Sequence, residues 1–215
     1  MDILSLYKYI SSVMFKVERL SKELKKSMIS KNIWQSYCPL TLEQLRLIKI
    51  EHYDFEGQRK IGTIVIHHKM ADSAIDIFKK LLDLEFPIAK MTLIDNYNGD
   101  DELSMEDNNS SCFNCRKIAN SSELSVHSYG LAIDINPLQN PYIVIDHNNY
   151  SIDVYPREGV NFLNRNNQRP GMVESVVDVF KKHGFDIWGG HWNNPIDYHH
   201  FQVSRELAKK MSSLL

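Results

Sequence analysis

The chain has 215 residues, 43% of them hydrophobic, with 25 Lys plus Arg against 27 Asp plus Glu and a formal charge of -2. That length and composition suit one domain with a real core. The balanced charge, without a basic run, low-complexity tract or repeat, argues against a nucleic-acid surface. In residues 1–30, Ile3, Leu6, Ile10, Val13, Val17, Leu20 and Leu24 recur at alternating spacings of three and four. This predicts an amphipathic helix packed on the rest of the chain, with a coiled-coil contact or an interfacial membrane helix as alternatives. Asp2, Lys8 and Lys16 interrupt the place where a secretory signal needs its apolar centre, and no apolar run approaches spanning length. We therefore expect a helical extension over residues 1–33 and a domain over 34–215.

Residues 41–44 read as a helical turn before a strand through residues 45–50, Glu56-Gly57 as a turn, and the β-branched run 61–67 as a strand. Ala74, Ile75, Phe78, Leu81 and Leu82 give residues 71–84 a helical period that stops before Pro87, and residues 88–94 suggest another strand. Residues 96–111 are acidic, polar and aperiodic, a loop whose spacing fits no calcium-binding pattern. Residues 113–116, FNCR, read as a strand, and the turn-rich 137–167 as a surface excursion that shapes access. A helix over 172–182, a short strand over 185–188 and a closing helix over 205–214 complete an α+β pattern. Cys38, Cys112 and Cys115 are odd in number and too few for a disulfide scaffold. The spacing of Cys112 and Cys115 has neither a second pair to complete a metal cage nor a strand-to-helix setting for redox work, so both read as packing residues.

Two stretches carry chemistry. In residues 125–136, SVHSYGLAIDIN, Gly130 suits a turn and Leu131, Ile133 and Ile135 alternate with Ala132 and Asp134, as in a strand buried on one face. A chain folding back at Gly130 brings His127 and Asp134 together, an imidazole and a carboxylate of the kinds that zinc takes. Residues 188–201, WGGHWNNPIDYHHF, add Asp197 and His200. The spacing of these two cannot come from one flat strand, so a loop over 193–197 is expected to deliver Asp197 ahead of a strand near His200. Two histidines and one aspartate leave a catalytic zinc its open position, with a spare carboxylate to take a proton from water. His199 is the rival ligand. His67, His68, His147 and His183 read as surface or supporting residues.

Ser125, His127, Gly130, Ala132 and Asp134 form S-x-H-x-x-G-x-A-x-D, and Asp197, His200 and Phe201 form D-x-x-H-F. Over roughly residues 34–203 the chain resembles the zinc D-alanyl-D-alanine carboxypeptidase family, which includes L-alanyl-D-glutamate endopeptidases and shares a fold with the hedgehog signalling domain. The resemblance implies a hedgehog/D,D-peptidase-like fold with a small central antiparallel sheet flanked by helices. It implies one zinc per chain held by His127, Asp134 and His200, with Asp197 as general base and Arg116 holding substrate or oxyanion. It also selects His200 over His199, which on a strand would face the other way. It implies hydrolysis of an amide bond in peptidoglycan stem peptides, and hence a place in the cell envelope or periplasm. A catalytically silent, zinc-dependent binding module of hedgehog type is the alternative. His191, where the branch commonly has an acid after Trp-Gly-Gly, and His199, where it commonly has proline, depart from the pattern at the pocket rim. Trp188 and Trp192 are expected as cleft walls or core.

Overall fold

The computed structural model of the chain describes residues 15–118 and 121–213. Strands β1 (Lys16–Arg19), β2 (Leu45–Tyr53) and β3 (Arg59–His67) form an antiparallel sheet in that order. Strands β2 and β3 send apolar side chains to both faces because both faces are covered. Ile48 stands opposite Ile64 and Leu47 opposite Val65. Alternation along the pleat therefore sends Ile48, Ile50, Ile64 and Ile66 into one cluster and Leu45 and Val65 into a second. The first contains Ala74, Ile77, Phe78 and Leu81 of helix α2 (Ala71–Asp83). The second contains Leu20, Met28 of helix α1 (Lys22–Ser30), Ile33 and Phe113.

The helix expected through residue 24 is not found over Lys16–Arg19, which is strand β1. Its backbone pairs with β2, leaving Val17 40% exposed while Leu20 is buried. A ready sheet edge outweighs a three-four spacing, because most helical stability comes from packing rather than from the pattern itself. Ser21 then caps α1, its Oγ accepting from Leu24 N at 3.1 Å. The seam positions from Ile3 to Val13 lie outside the described residues.

The remaining strands are β4 (Ala132–Asp134), β5 (Tyr142–Asp146), β6 (Ser151–Tyr155), β7 (Ile187–Trp188), β8 (Ile196–Asp197) and β9 (His200–Gln202). They form two further antiparallel sheets, ordered β4-β9-β7 and β6-β5-β8. The architecture is thus α+β, with three small sheets in place of the one central sheet expected. Helices α3 (Asp101–Glu106), α4 (Val177–Lys182) and α5 (Arg205–Ser213) surround them. Phe180 of α4 stacks on Phe201 of β9 with ring centroids 3.9 Å apart, which anchors β9 on the first cluster.

Several expected elements differ. Residues 88–94 and 113–116 are not regular strands. They make single bonds to scattered partners, Thr63 N to Met91 O, Phe113 N to Val65 O and Cys115 N to Ile33 O, rather than a ladder. The acidic loop holds α3, whose N-cap Asp100 accepts from Leu103 N at 3.1 Å. The excursion at 137–167 carries the β5–β6 hairpin and a 3-10 segment, Arg157–Phe162. The helix expected from residue 172 opens as a 3-10 turn, Val173–Val176, before α4. Two of the three cysteines do not merely pack: Cys38 and Cys115 form a disulfide across 77 residues, while Cys112 is free and buried. No helix among the described residues is long and apolar enough to cross a membrane.

Candidate metal centre and active site

Ser125 opens a 3-10 turn, Val126–Tyr129, by accepting His127 N on its Oγ, and Gly130 closes it in the left-handed region at φ 60°. A Cβ there would lie 2.7 Å from His67 N, so both conformation and space require glycine. The chain reverses and enters β4. Asp134 pairs with His200 and Ile133 with Phe201 across the β4–β9 ladder. Residues directly opposite share a face, so Asp134 and His200 meet on one side while Ile133 and Phe201 enter the core on the other.

The structure brings His127, Asp134 and His200 together, all buried, with one ligand atom from each within 4.8 Å of the others. His127 Nε2 lies 3.0 Å from Asp134 Oδ2 and 3.2 Å from His200 Nδ1, and His200 Nδ1 lies 2.9 Å from Asp134 Oδ1. The outer nitrogens are engaged elsewhere: His127 Nδ1 donates to Cys112 O, and His200 Nε2 donates to Gln202 Oε1 at 2.8 Å. Those bonds turn the inner nitrogens' lone pairs towards each other and towards a carboxylate. Such a group is repulsive unless a proton or cation sits among its members. A tetrahedral zinc with bonds of about 2.0–2.1 Å holds its ligand atoms about 3.3 Å apart, so the observed spacings fit one ion, and the outer partners are those that orient histidine ligands. Burial pushes the Asp134 carboxyl up, but the facing His127 and His199 outweigh it and hold the group well below its usual range.

Asp197 ends β8, opposite Tyr142 of β5, and its Oδ1 is buried with no aligned hydrogen-bond donor among the described residues. His199 Nε2 nevertheless lies 3.0 Å from that oxygen, and 4.0 Å from Asp134 Oδ2. We read the nearer contact as a charge contact of poor angle rather than a hydrogen bond. His199 Nδ1 donates to Asn140 O at 2.8 Å. Although burial opposes its charge, the Asp197 and Asp134 carboxylates push His199 up to about 9. The expectation that His199 faces away is thus corrected. Residues 198–199 form a turn between β8 and β9, where strand alternation does not apply. His199 faces both carboxylates without joining the convergent trio. Asn140, whose carbonyl holds His199, is itself fully buried, and its side chain bonds Val173 N and Gly171 O, with no pattern in the surrounding sequence that marks it.

Gly189 explains part of the Trp-Gly-Gly sequence: a Cβ there would lie 2.5 Å from Asp197 O, so only glycine lets the two segments touch. Trp188 is core, its Nε1 donating to Tyr198 O at 2.8 Å, whereas the half-buried Trp192 lies against His200 with ring centroids 5.3 Å apart. Arg116 pairs with Asp101 of α3 at 2.6 Å, and its backbone N and O both bond Ser128 Oγ.

Two buried histidines and an aspartate around a space for one ion, beside a second buried carboxylate, are the equipment of a metal-dependent hydrolase. Residues 119–203 match a family model described as D-alanyl-D-alanine carboxypeptidase, the peptidase family to which the two sequence motifs point. The matched span contains His127, Asp134, Asp197 and His200 but not Arg116. No curated protein and no solved structure matches this chain.

Proposed function

We propose that the protein is a zinc peptidase with a hedgehog/D,D-peptidase-like fold that cleaves an amide bond in peptidoglycan stem peptides, as an L-alanyl-D-glutamate-type endopeptidase or a D-alanyl-D-alanine carboxypeptidase. The observation that carries the reading is the meeting of His127, Asp134 and His200 near the buried carboxylate of Asp197, whose Oδ1 faces His199 Nε2 at 3.0 Å. Bound there, zinc supplies Lewis acidity, polarising the scissile carbonyl and acidifying an attacking water. Asp197 Oδ1 accepts that water's proton and returns it to the leaving amine. His199, fixed by Asn140 O, keeps a positive charge beside this carboxylate. Arg116 donates to the developing oxyanion or to a substrate carboxylate. A second buried carboxylate beside the three candidate ligands supports catalysis over a silent binding module. The Cys38–Cys115 disulfide supports an oxidising site such as the cell envelope.

The test is mass spectrometry of purified muropeptides incubated with zinc-loaded protein. Asp197→Ala is expected to keep its zinc and its fold and to lose about 10²–10⁴ in rate. Wild-type-like turnover in that variant removes Asp197 from the mechanism, and no product from the wild-type protein across a panel of wall peptides favours the binding module.

A further inference from the structure

The sheet that carries Asp197 leads away from the metal ligands. Tyr142 is the cross-strand partner of Asp197 on one side and of Tyr155 on the other. Directly opposite residues share a face, so the three form a row, and the two tyrosine rings lie 6.2 Å apart. The phenol of Tyr142 has no hydrogen-bond partner among the described residues. Burial pushes the phenol of Tyr142 up, and the neighbouring Asp197 carboxylate adds to that.

At the far end of the row, Tyr155 lines an open cavity of about 360 Å³ bordered by β6, α3 and the Arg157–Phe162 segment. The wall formed by α3 is tied to the site through the Asp101–Arg116 pair. Glu102, Glu106 and Asp153 face this cavity with Arg157, and none of the four has an ion pair or side-chain hydrogen bond among the described residues. Three carboxylates against one guanidinium leave an excess of two negative charges. Ile152 and Val160, 61% and 49% exposed, supply hydrocarbon surface in the same cavity. An acidic rim over an apolar wall suits an ammonium group carried on an aliphatic stem.

Granting the peptidase reading above, on which this rests, we propose that the row Asp197, Tyr142, Tyr155 is the track along which a peptide substrate lies, and that the cavity is a subsite for its amine-bearing aliphatic side chain. Tyr142 donates its phenol hydrogen to the substrate backbone. Two strand spacings separate Asp197 from Tyr155, about 10 Å, which an extended peptide covers in about three residues. The amine-bearing residue therefore sits two to three residues from the cleaved bond, a spacing that a dipeptide substrate cannot supply.

The experiment compares a synthetic stem pentapeptide containing lysine with the same peptide acetylated at the lysine Nζ, using zinc-loaded full-length protein. Acetylation is expected to raise KM about threefold to tenfold with little change in kcat, as for a few solvent-exposed charge pairs. The difference should shrink at high salt and in the Glu102→Gln, Glu106→Gln double variant. Tyr142→Phe is expected to lower kcat/KM about tenfold on both peptides with zinc content unchanged. Equal kcat/KM for the two peptides overturns the subsite. Calorimetric titration of Asp197→Ala with both peptides separates the two readings. Preference for the free amine without cleavage by the wild type keeps the subsite and sinks the peptidase, whereas neither preference nor cleavage sinks both.

Discussion

Replacing Gly189 by alanine probes whether the placement of Asp197 controls activity. The added methyl would start 2.5 Å from Asp197 O and 2.8 Å from Asp197 Cβ, where ordinary contact begins at 3.4 Å. Asp197 is held from the other side by the β5–β8 ladder, so relief means a retreat of about 1 Å, and a displacement of that size costs about 10²-fold in rate. Overpacking should also lower stability by about 1–3 kcal/mol. The metal ligands sit on the Val126–Tyr129 turn, β4 and β9, and the β4–β9 ladder holds Asp134 and His200 to each other independently of Gly189. Zinc content should therefore hold while kcat/KM on a stem peptide falls about a hundredfold, in a variant that still melts cooperatively. Combining Gly189→Ala with Asp197→Ala should cost little beyond Asp197→Ala alone, since both act through one group. A folded Gly189→Ala protein with kcat/KM within twofold of wild type would refute the argument.

His200→Ala should abolish zinc retention and His199→Ala should not; metal analysis giving the reverse would transfer the ligand role to His199. His67 is fully buried with Nε2 unpartnered, and burial, followed by the charges of His68, Lys69 and Arg46, lowers it from 6.5 to about 4. Between those values the unfolded chain binds a proton that the native state refuses, so stability falls as pH drops. The penalty is about 2 kcal/mol between pH 7 and pH 5; His67→Gln should flatten that part of the urea-midpoint profile, and an unchanged slope would exclude His67 as its source. Reducing Cys38–Cys115 frees a loop of 77 residues, worth about 4 kcal/mol on the chain-entropy estimate; an identical melting temperature with and without reductant would rule out that contribution.

What was legible in the sequence was local. The Ser125 cap, Gly130 and the alternation after it sit within a dozen residues, so the meeting of His127 with Asp134 could be argued from turn chemistry alone. The strands at Leu45–Tyr53 and Arg59–His67 and the helix Ala71–Asp83 likewise declare themselves by period. Pairings set by the tertiary fold were not legible. Nothing near Cys38 announces Cys115, and nothing in Lys16–Arg19 announces a vacant edge at β2. Strand alternation does not reach His199, which lies in the turn one residue before β9. The Asp100 cap of α3 was visible in principle, but its acidic neighbours read as solvated loop.

The three-pair ladder between β4 and β9 has a consequence for how errors in folding translate into chemistry. Its odd and even positions belong to different worlds: Asp134 and His200 to the ion, Ile133 and Phe201 to the oil. A slip of one residue in either strand would turn that strand over, setting an isoleucine or phenylalanine where a ligand belongs and driving a charge into the core. Misregistered molecules are therefore both unstable and metal-blind. An ion that binds only the correct pairing acts as a proofreader of it, adding its binding free energy to that one alignment and to no other.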